Sequence, residues 1–201
     1  DTALEQIFEH SPLPILTHCE DTPMIEANAD KARAAYGEDV PIRQHPVIRS
    51  REACIASSKK AMDLATRHAA RLHILHITTA EELALFAAGP MADKNITAEA
   101  CIHHLFFSED DYDRLGALIK CNPAIKTEAD RQAILKAVAD DVIDVLATDH
   151  APHARADKDN PYFSAPAGLP LVQHAVPSLV DQVSAGYFTI EQLVTKMAHN
   201  V

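Results

Sequence analysis

The sequence predicts an α/β fold built on a parallel sheet. Three observations predict it: four short apolar runs of strand length recur along the chain, longer helix-patterned stretches separate them, and Gly, Pro and polar capping residues punctuate the junctions. The first run is Leu13 to His18, followed by a helix over Ile25 to Tyr36. Asp21 or Thr22 is its N-cap, Pro23 occupies a first-turn position and Gly37 is its stop. Two prolines mark residues 40–49 as a loop, and Ser50 to Ala70 reads as a long amphipathic helix. The second run, Leu72 to Ile77, leads through Thr78-Thr79 into a helix over Ala80 to Ala88, stopped by Gly89-Pro90. The third run is Asn95 to Ile102, ending in His103-His104. Helices over Glu109 to Leu118 and Glu128 to Asp140 flank an extended piece, Lys120 to Ile125. The fourth run, Asp144 to Asp149, is followed by a polar loop to Pro166 and helices near Leu171 to Ser184 and Thr189 to Ala198.

Four strand–helix units are half of a closed (β/α)8 barrel, which needs eight and about 250 residues. A partial (β/α)8 TIM barrel, forming one domain over residues 1–201, is therefore expected. The formal charge of −11 argues against nucleic acid and anionic membrane as partners, because both attract basic patches. No apolar run approaches the ~20 residues that span a bilayer. The four cysteines are scattered, without a CxxC pair, and read as reduced thiols of a cytoplasmic protein.

Twelve histidines against no tryptophan is the unusual ratio in the composition. Three polar side chains, His18, His76 and Asp149, stand at the ends of three of the apolar runs. The C-terminal ends of parallel strands form the face where barrel enzymes build their sites. Alternation along the second run allows only one of His73 and His76 to face the barrel interior, and His76 lies nearer the end. Imidazole nitrogen and carboxylate oxygen together suit zinc and similar divalent metals. A single histidine at a strand end is usually a hydrogen-bonded structural residue; three such groups at equivalent positions make a metal site a real alternative.

The local sequences narrow the reading. His18-Cys19-Glu20-Asp21 resembles the strand-five motif of class I dihydroorotases, amidohydrolases that act on a cyclic amide, and Leu72 to Thr79 resembles their strand-six motif. Ala147-Thr148-Asp149-His150-Ala151-Pro152-His153 resembles their eighth strand and is the most specific of the three. The resemblance runs from about residue 12 to the C-terminus. It implies that His18 and His76 ligate zinc, one or two ions per complete site, and that Asp149 is both a ligand and the general base and acid. It further implies that Asn122, His153, Ala167 and Gly168 contact the substrate. The implied reaction interconverts N-carbamoyl-L-aspartate and dihydroorotate in pyrimidine synthesis. A glycine at 168 is expected to let backbone approach a ligand closely.

His103 and His104 fall where the family also carries paired histidines after strand seven, and supporting or structural roles are favoured over direct metal ligation. Lys126 stands where many relatives have arginine; it keeps the charge without the bidentate fork, and no catalytic role follows. The family's first-strand His-x-His pair and fourth-strand bridging carboxylate are not among these 201 residues, so a fragment covering barrel strands five to eight is expected. In isolation it should bind metal weakly and turn over little or nothing; a homo-oligomer is compatible with its open sheet edges. Two other readings remain: a hydantoinase, dihydropyrimidinase or allantoinase, and a non-catalytic amidohydrolase-like scaffold. Thr148 to His153 argues against the first, and the presence of every ligand expected in this span against the second.

Overall fold

The computed structural model describes residues 2–201. Four strands, β1 (Ile15–Thr17), β2 (Leu72–Ile74), β3 (Ile96–Cys101) and β4 (Val145–Ala147), form one parallel sheet in sequence order. Ile15 pairs with Leu72, Leu72 with Ile96, and Glu99 with Val145. Parallel strands in sequence order, each joined by a helical crossover, make a partial (β/α)8 barrel.

The two faces of the sheet differ as barrel geometry requires. Leu72, Ile74, Ala98, Ala100 and Leu146 are fully buried in the main core, beneath the crossover helices. Leu16, His73, Thr97, Glu99 and Val145 instead line an open hollow of about 750 Å³ on the concave side. Leu16 is 61% exposed there, so the apolar side chain that β1 turns to the concave side is uncovered. Among the described residues, β1 and β4 each pair along one edge only.

Capping chemistry sets the helix limits. Asp21 accepts a hydrogen bond from the Met24 amide at 2.9 Å and opens the helix Thr22–Tyr36. Ser50 opens the helix Arg51–His68, and Thr127 with Asp130 forms a reciprocal capping box on the helix Glu128–Ala139. Asp130 does more than cap. It accepts from the Ala80 amide at 2.9 Å and pairs with Arg51 at 2.8 Å, fastening three crossover segments to one buried carboxylate. At the opposite end of the sheet, Asp144 accepts from the Ala98 amide at 2.9 Å and pairs with Lys94 at 2.6 Å, locking β3 to β4.

Several expected elements are shorter or broken. The helix from Ala80 ends at Leu83, and the segment from Glu109 splits into helical turns interrupted by Gly116 at φ +56°. Residues 40–49 are not a plain loop but carry helical turns at Ile42–Gln44 and His45–Ile48. Lys120 to Ile125 forms no strand and contains a cis Asn122–Pro123 peptide. A further helix, Thr2–His10, packs Phe8 into the core. No helix among the described residues is long and apolar enough to cross a membrane.

Ile74 is completely buried at the centre of β2. Ile74→Ala should lower the unfolding free energy by about 2–5 kcal/mol, through lost transfer energy and a residual cavity. Urea titration checks this; a loss below 1 kcal/mol would mean that the sheet is not packed as described.

Candidate active site and metal centre

The strands end early, and the side chains that matter come just after them. His18 follows β1 directly; His76 and Asp149 each lie two residues past their strands. His76 has φ +41° and Asp149 φ +46°, a left-handed conformation that L-residues with a Cβ adopt at a cost. This turn of the backbone breaks the alternation of β2. His73 and His76 therefore both reach the interior side, where they flank Glu99. The expectation that only one of them can do so is overturned because β2 stops at Ile74. The His76 amide donates to Glu99 Oε1 at 3.3 Å, and His73 Nε2 lies 3.5 Å from Glu99 Oε2.

His18 Nδ1 and His76 Nε2 face each other at 2.9 Å, with their rings edge to face. His18 Nε2 is 3.0 Å from Glu20 Oε2, and Arg49 holds that same carboxylate oxygen. Burial opposes ionisation of Glu20, yet the His18 hydrogen bond and the Arg49 charge keep its carboxyl below the usual range. Burial pushes the His76 imidazole down to about 4, reinforced by the charge of His18. It is thus neutral, with a lone pair to give. Its Nδ1 is buried without a hydrogen-bond partner. Partial desolvation, then the Glu99 charge, raise the Asp149 carboxyl above its usual value, against the pull of His18.

These groups fit a borderline divalent cation. The 2.9 Å between the facing imidazole nitrogens is a hydrogen-bond distance; tetrahedral zinc with Zn–N bonds of about 2.0–2.1 Å would hold them roughly 3.3 Å apart, so the two rings would part by about 0.4 Å to take the ion. Glu20 behind His18 is the kind of outer partner that orients a ligating imidazole.

The other expected residues form a second group on the same face. His153 Nε2 is 3.0 Å from the Ala167 carbonyl oxygen, and the Gly168 amide donates to the Lys120 carbonyl at 2.8 Å. Asn122, two residues from Lys120, has its Oδ1 buried without a partner. Gly168 has φ +138°, and a Cβ there would meet the Ala151 carbonyl oxygen at 2.5 Å and His153 Nε2 at 3.1 Å. The glycine is therefore required by its own neighbours, whatever a ligand requires.

Four contributors were not singled out from the sequence: Glu99, Lys120, Lys158 and His45. Glu99, a carboxylate buried inside an otherwise apolar strand, was the strongest available signal. Lys120 and Lys158 were hidden in polar stretches. Lys120 Nζ donates to the Tyr162 and Ala165 carbonyls, both at 2.6 Å, and Lys158 Nζ to the Lys120 and Pro166 carbonyls at 3.1 and 2.9 Å. They pin the Ala151–Gly168 loop in place. His45 completes the clamp, with Nε2 2.7 Å from the Cys121 carbonyl and Nδ1 2.8 Å from the Tyr162 hydroxyl.

The concave sheet, the strand-end histidines and the aspartate define a partial barrel of the amidohydrolase type. No family model matches the chain. It is 39% identical over 152 residues to a dihydroorotase of Halobacterium salinarum, covering 76% of this chain and 35% of that protein. It is 34% identical over 183 residues to a dihydroorotase of Staphylococcus aureus, covering 90% of this chain and 42% of that protein. The chain belongs to the dihydroorotase family. It spans less than half the length of these curated relatives. In fold it is similar to an L-hydantoinase (dihydropyrimidinase) from Arthrobacter aurescens, with a TM-score of 0.91 at 21% identity over 99% of this chain and 45% of that one. A dihydroorotase from Saccharomyces cerevisiae, in complex with 5-fluoroorotic acid, gives 0.66 at 21% identity over 74% of this chain and 42% of that one.

The fully buried His45 is pushed down to about 3, mainly by burial. The unfolded chain takes up this proton near 6.5 and the folded chain does not. The stabilisation is therefore complete above pH 6.5 and is lost as the pH falls toward 3. His45→Gln should flatten the pH dependence of stability in that window by about 1.4 kcal/mol per pH unit. Denaturant titrations at several pH values measure the slope; an unchanged slope would show that His45 is protonated in the fold.

Proposed function

We propose that this chain carries one half of the active site of a zinc-dependent cyclic-amide hydrolase that interconverts N-carbamoyl-L-aspartate and dihydroorotate in cytoplasmic de novo pyrimidine synthesis. The observation that carries the reading is the convergence of His18 Nδ1 and His76 Nε2 at 2.9 Å, beside an Asp149 of raised proton affinity. His18 and His76 would hold one zinc, and Asp149 would contribute a further ligand oxygen. Zinc, when bound, supplies a Lewis acid for the amide carbonyl and lowers the pKa of a water.

The chain's own residues do the rest. Asp149 takes the proton of the attacking water and returns it to the departing amide nitrogen. A single carboxylate can accept the proton and then donate it. Glu20 and Arg49 hold the His18 ring, and Glu99 fixes the backbone from which His76 projects. Asn122 Oδ1, buried and without a partner, would accept from a ring N–H of the substrate once its side chain turns toward the site. His153 and the backbone at Ala167 and Gly168 would bind the substrate carboxylate and ring edge, on a loop held rigid by Lys120 and Lys158.

In the full-length protein, Asp149→Asn should lower kcat for dihydroorotate by about 10²–10⁴ while leaving KM within a few-fold. A panel of dihydroorotate, dihydrouracil, hydantoin and allantoin tests the substrate. Preferential hydrolysis of dihydroorotate is expected. Preference for any of the others would replace this reading with that amidase, and no hydrolysis by metal-loaded protein would favour a scaffold.

A further inference from the structure

A second cluster of ligand-type side chains lies behind the proposed active face. His103 and His104 lie in the short helix Ile102–Phe106 that directly follows β3, and Cys121 immediately precedes Asn122. All three are buried, and one ligand atom from each lies within 4.8 Å of the others. The two imidazole centroids are 4.0 Å apart.

Hydrogen bonding does not account for this group. Both nitrogens of His103 and Nδ1 of His104 are buried without a partner. Buried polar side-chain atoms are nearly always hydrogen-bonded, and three unmatched nitrogens in one cluster need a partner. His104 Nε2 and the Cys121 thiol both donate to the Pro123 carbonyl oxygen, at 3.0 and 3.2 Å, which leaves Nδ1 as the His104 nitrogen with a lone pair.

We propose that His103, His104 and Cys121 bind a thiophilic d10 cation of the zinc class, at a site separate from His18, His76 and Asp149. Two imidazoles and a thiolate are a donor set that selects such ions over magnesium or calcium. Burial pushes the His103 imidazole down to about 3, so the ring is neutral near pH 7 and keeps one lone pair. The Cys121 thiol is pushed up to about 12 by the same burial. Binding therefore forms a metal–sulfur bond and releases one proton to solvent. The ion ties the segment carrying Asn122 to the end of β3. Its role is structural, and the inference does not depend on the reaction proposed above.

Cobalt(II) is the probe, because the proposed active-site ligands in this chain include no thiolate. The metal is supplied to the reduced 201-residue chain during refolding, since the cluster is closed to solvent. A near-ultraviolet thiolate-to-cobalt charge-transfer band is expected, retained in His18→Ala and Cys19→Ser and abolished in Cys121→Ser. Zinc-edge absorption fine structure of the unmutated zinc-loaded chain needs no variant to fold, and should show sulfur at about 2.3 Å. A shell of nitrogen and oxygen alone, or a charge-transfer band that survives in folded Cys121→Ser, overturns the proposal.

Discussion

The candidate site depends on a backbone constraint at two residues, His76 and Asp149, which leave their strands through left-handed φ of +41° and +46°. A parallel strand that continued in register would alternate its side chains, and His76 would follow Leu72 and Ile74 into the core beneath the helices. The left-handed turn instead swings it toward His18, across the β1–β2 pair. Such a conformation costs about 1–3 kcal/mol at a residue with a Cβ and persists only where the surroundings enforce it. At His76 the enforcement is visible. Its amide is held by the Glu99 side chain, and the next amide, of Ile77, donates to the Glu99 carbonyl at 2.8 Å. One glutamate on β3 thus grips two consecutive residues at the end of β2. Beyond Asp149, an isolated bridge between His150 and Leu169 and the Ala151 amide donating to the Leu169 carbonyl at 3.0 Å fix the chain as it leaves β4.

The loop that follows is organised by cations without carboxylate partners. Lys120 and Lys158 are buried, yet their ammonium groups are satisfied by backbone carbonyls. Burial and the nearby Lys158 charge push Lys120 down to about 8, the expected effect of placing two cations close together in a dry environment. The arrangement gathers the carbonyls of Lys120, Tyr162, Ala165 and Pro166 around two points. A loop of this length would otherwise be free to move. The result is a rigid mount for His153, Ala167 and Gly168, with His45 bracing the same loop from the other side.

Much of this was legible in the sequence, for physical reasons. The four strands, the helix cores and the cap at Asp21 follow from local chemistry, where hydrophobic period and side-chain-to-backbone bonds act over a few residues. His18, His76 and Asp149 were visible because polar groups interrupt apolar runs at equivalent positions. What could not be read was longer in range. The early end of β2, and with it the position of His76, depends on Glu99 twenty-three residues away. Lys120 and Lys158 look like surface residues until the loop folds over them. The need for glycine at 168 comes from Ala151 and His153, which only tertiary structure brings near.

The account rests on these strand-end groups acting as metal ligands in a hydrolytic site. The most direct measurement is the rate of dihydroorotate hydrolysis by the full-length protein as purified, after exhaustive chelation, and after zinc is returned. The rate should fall to background on chelation and recover with zinc, and His76→Ala should fail to recover at the same zinc concentration. A rate indifferent to chelation, or a His76→Ala protein that recovers fully, would contradict the account.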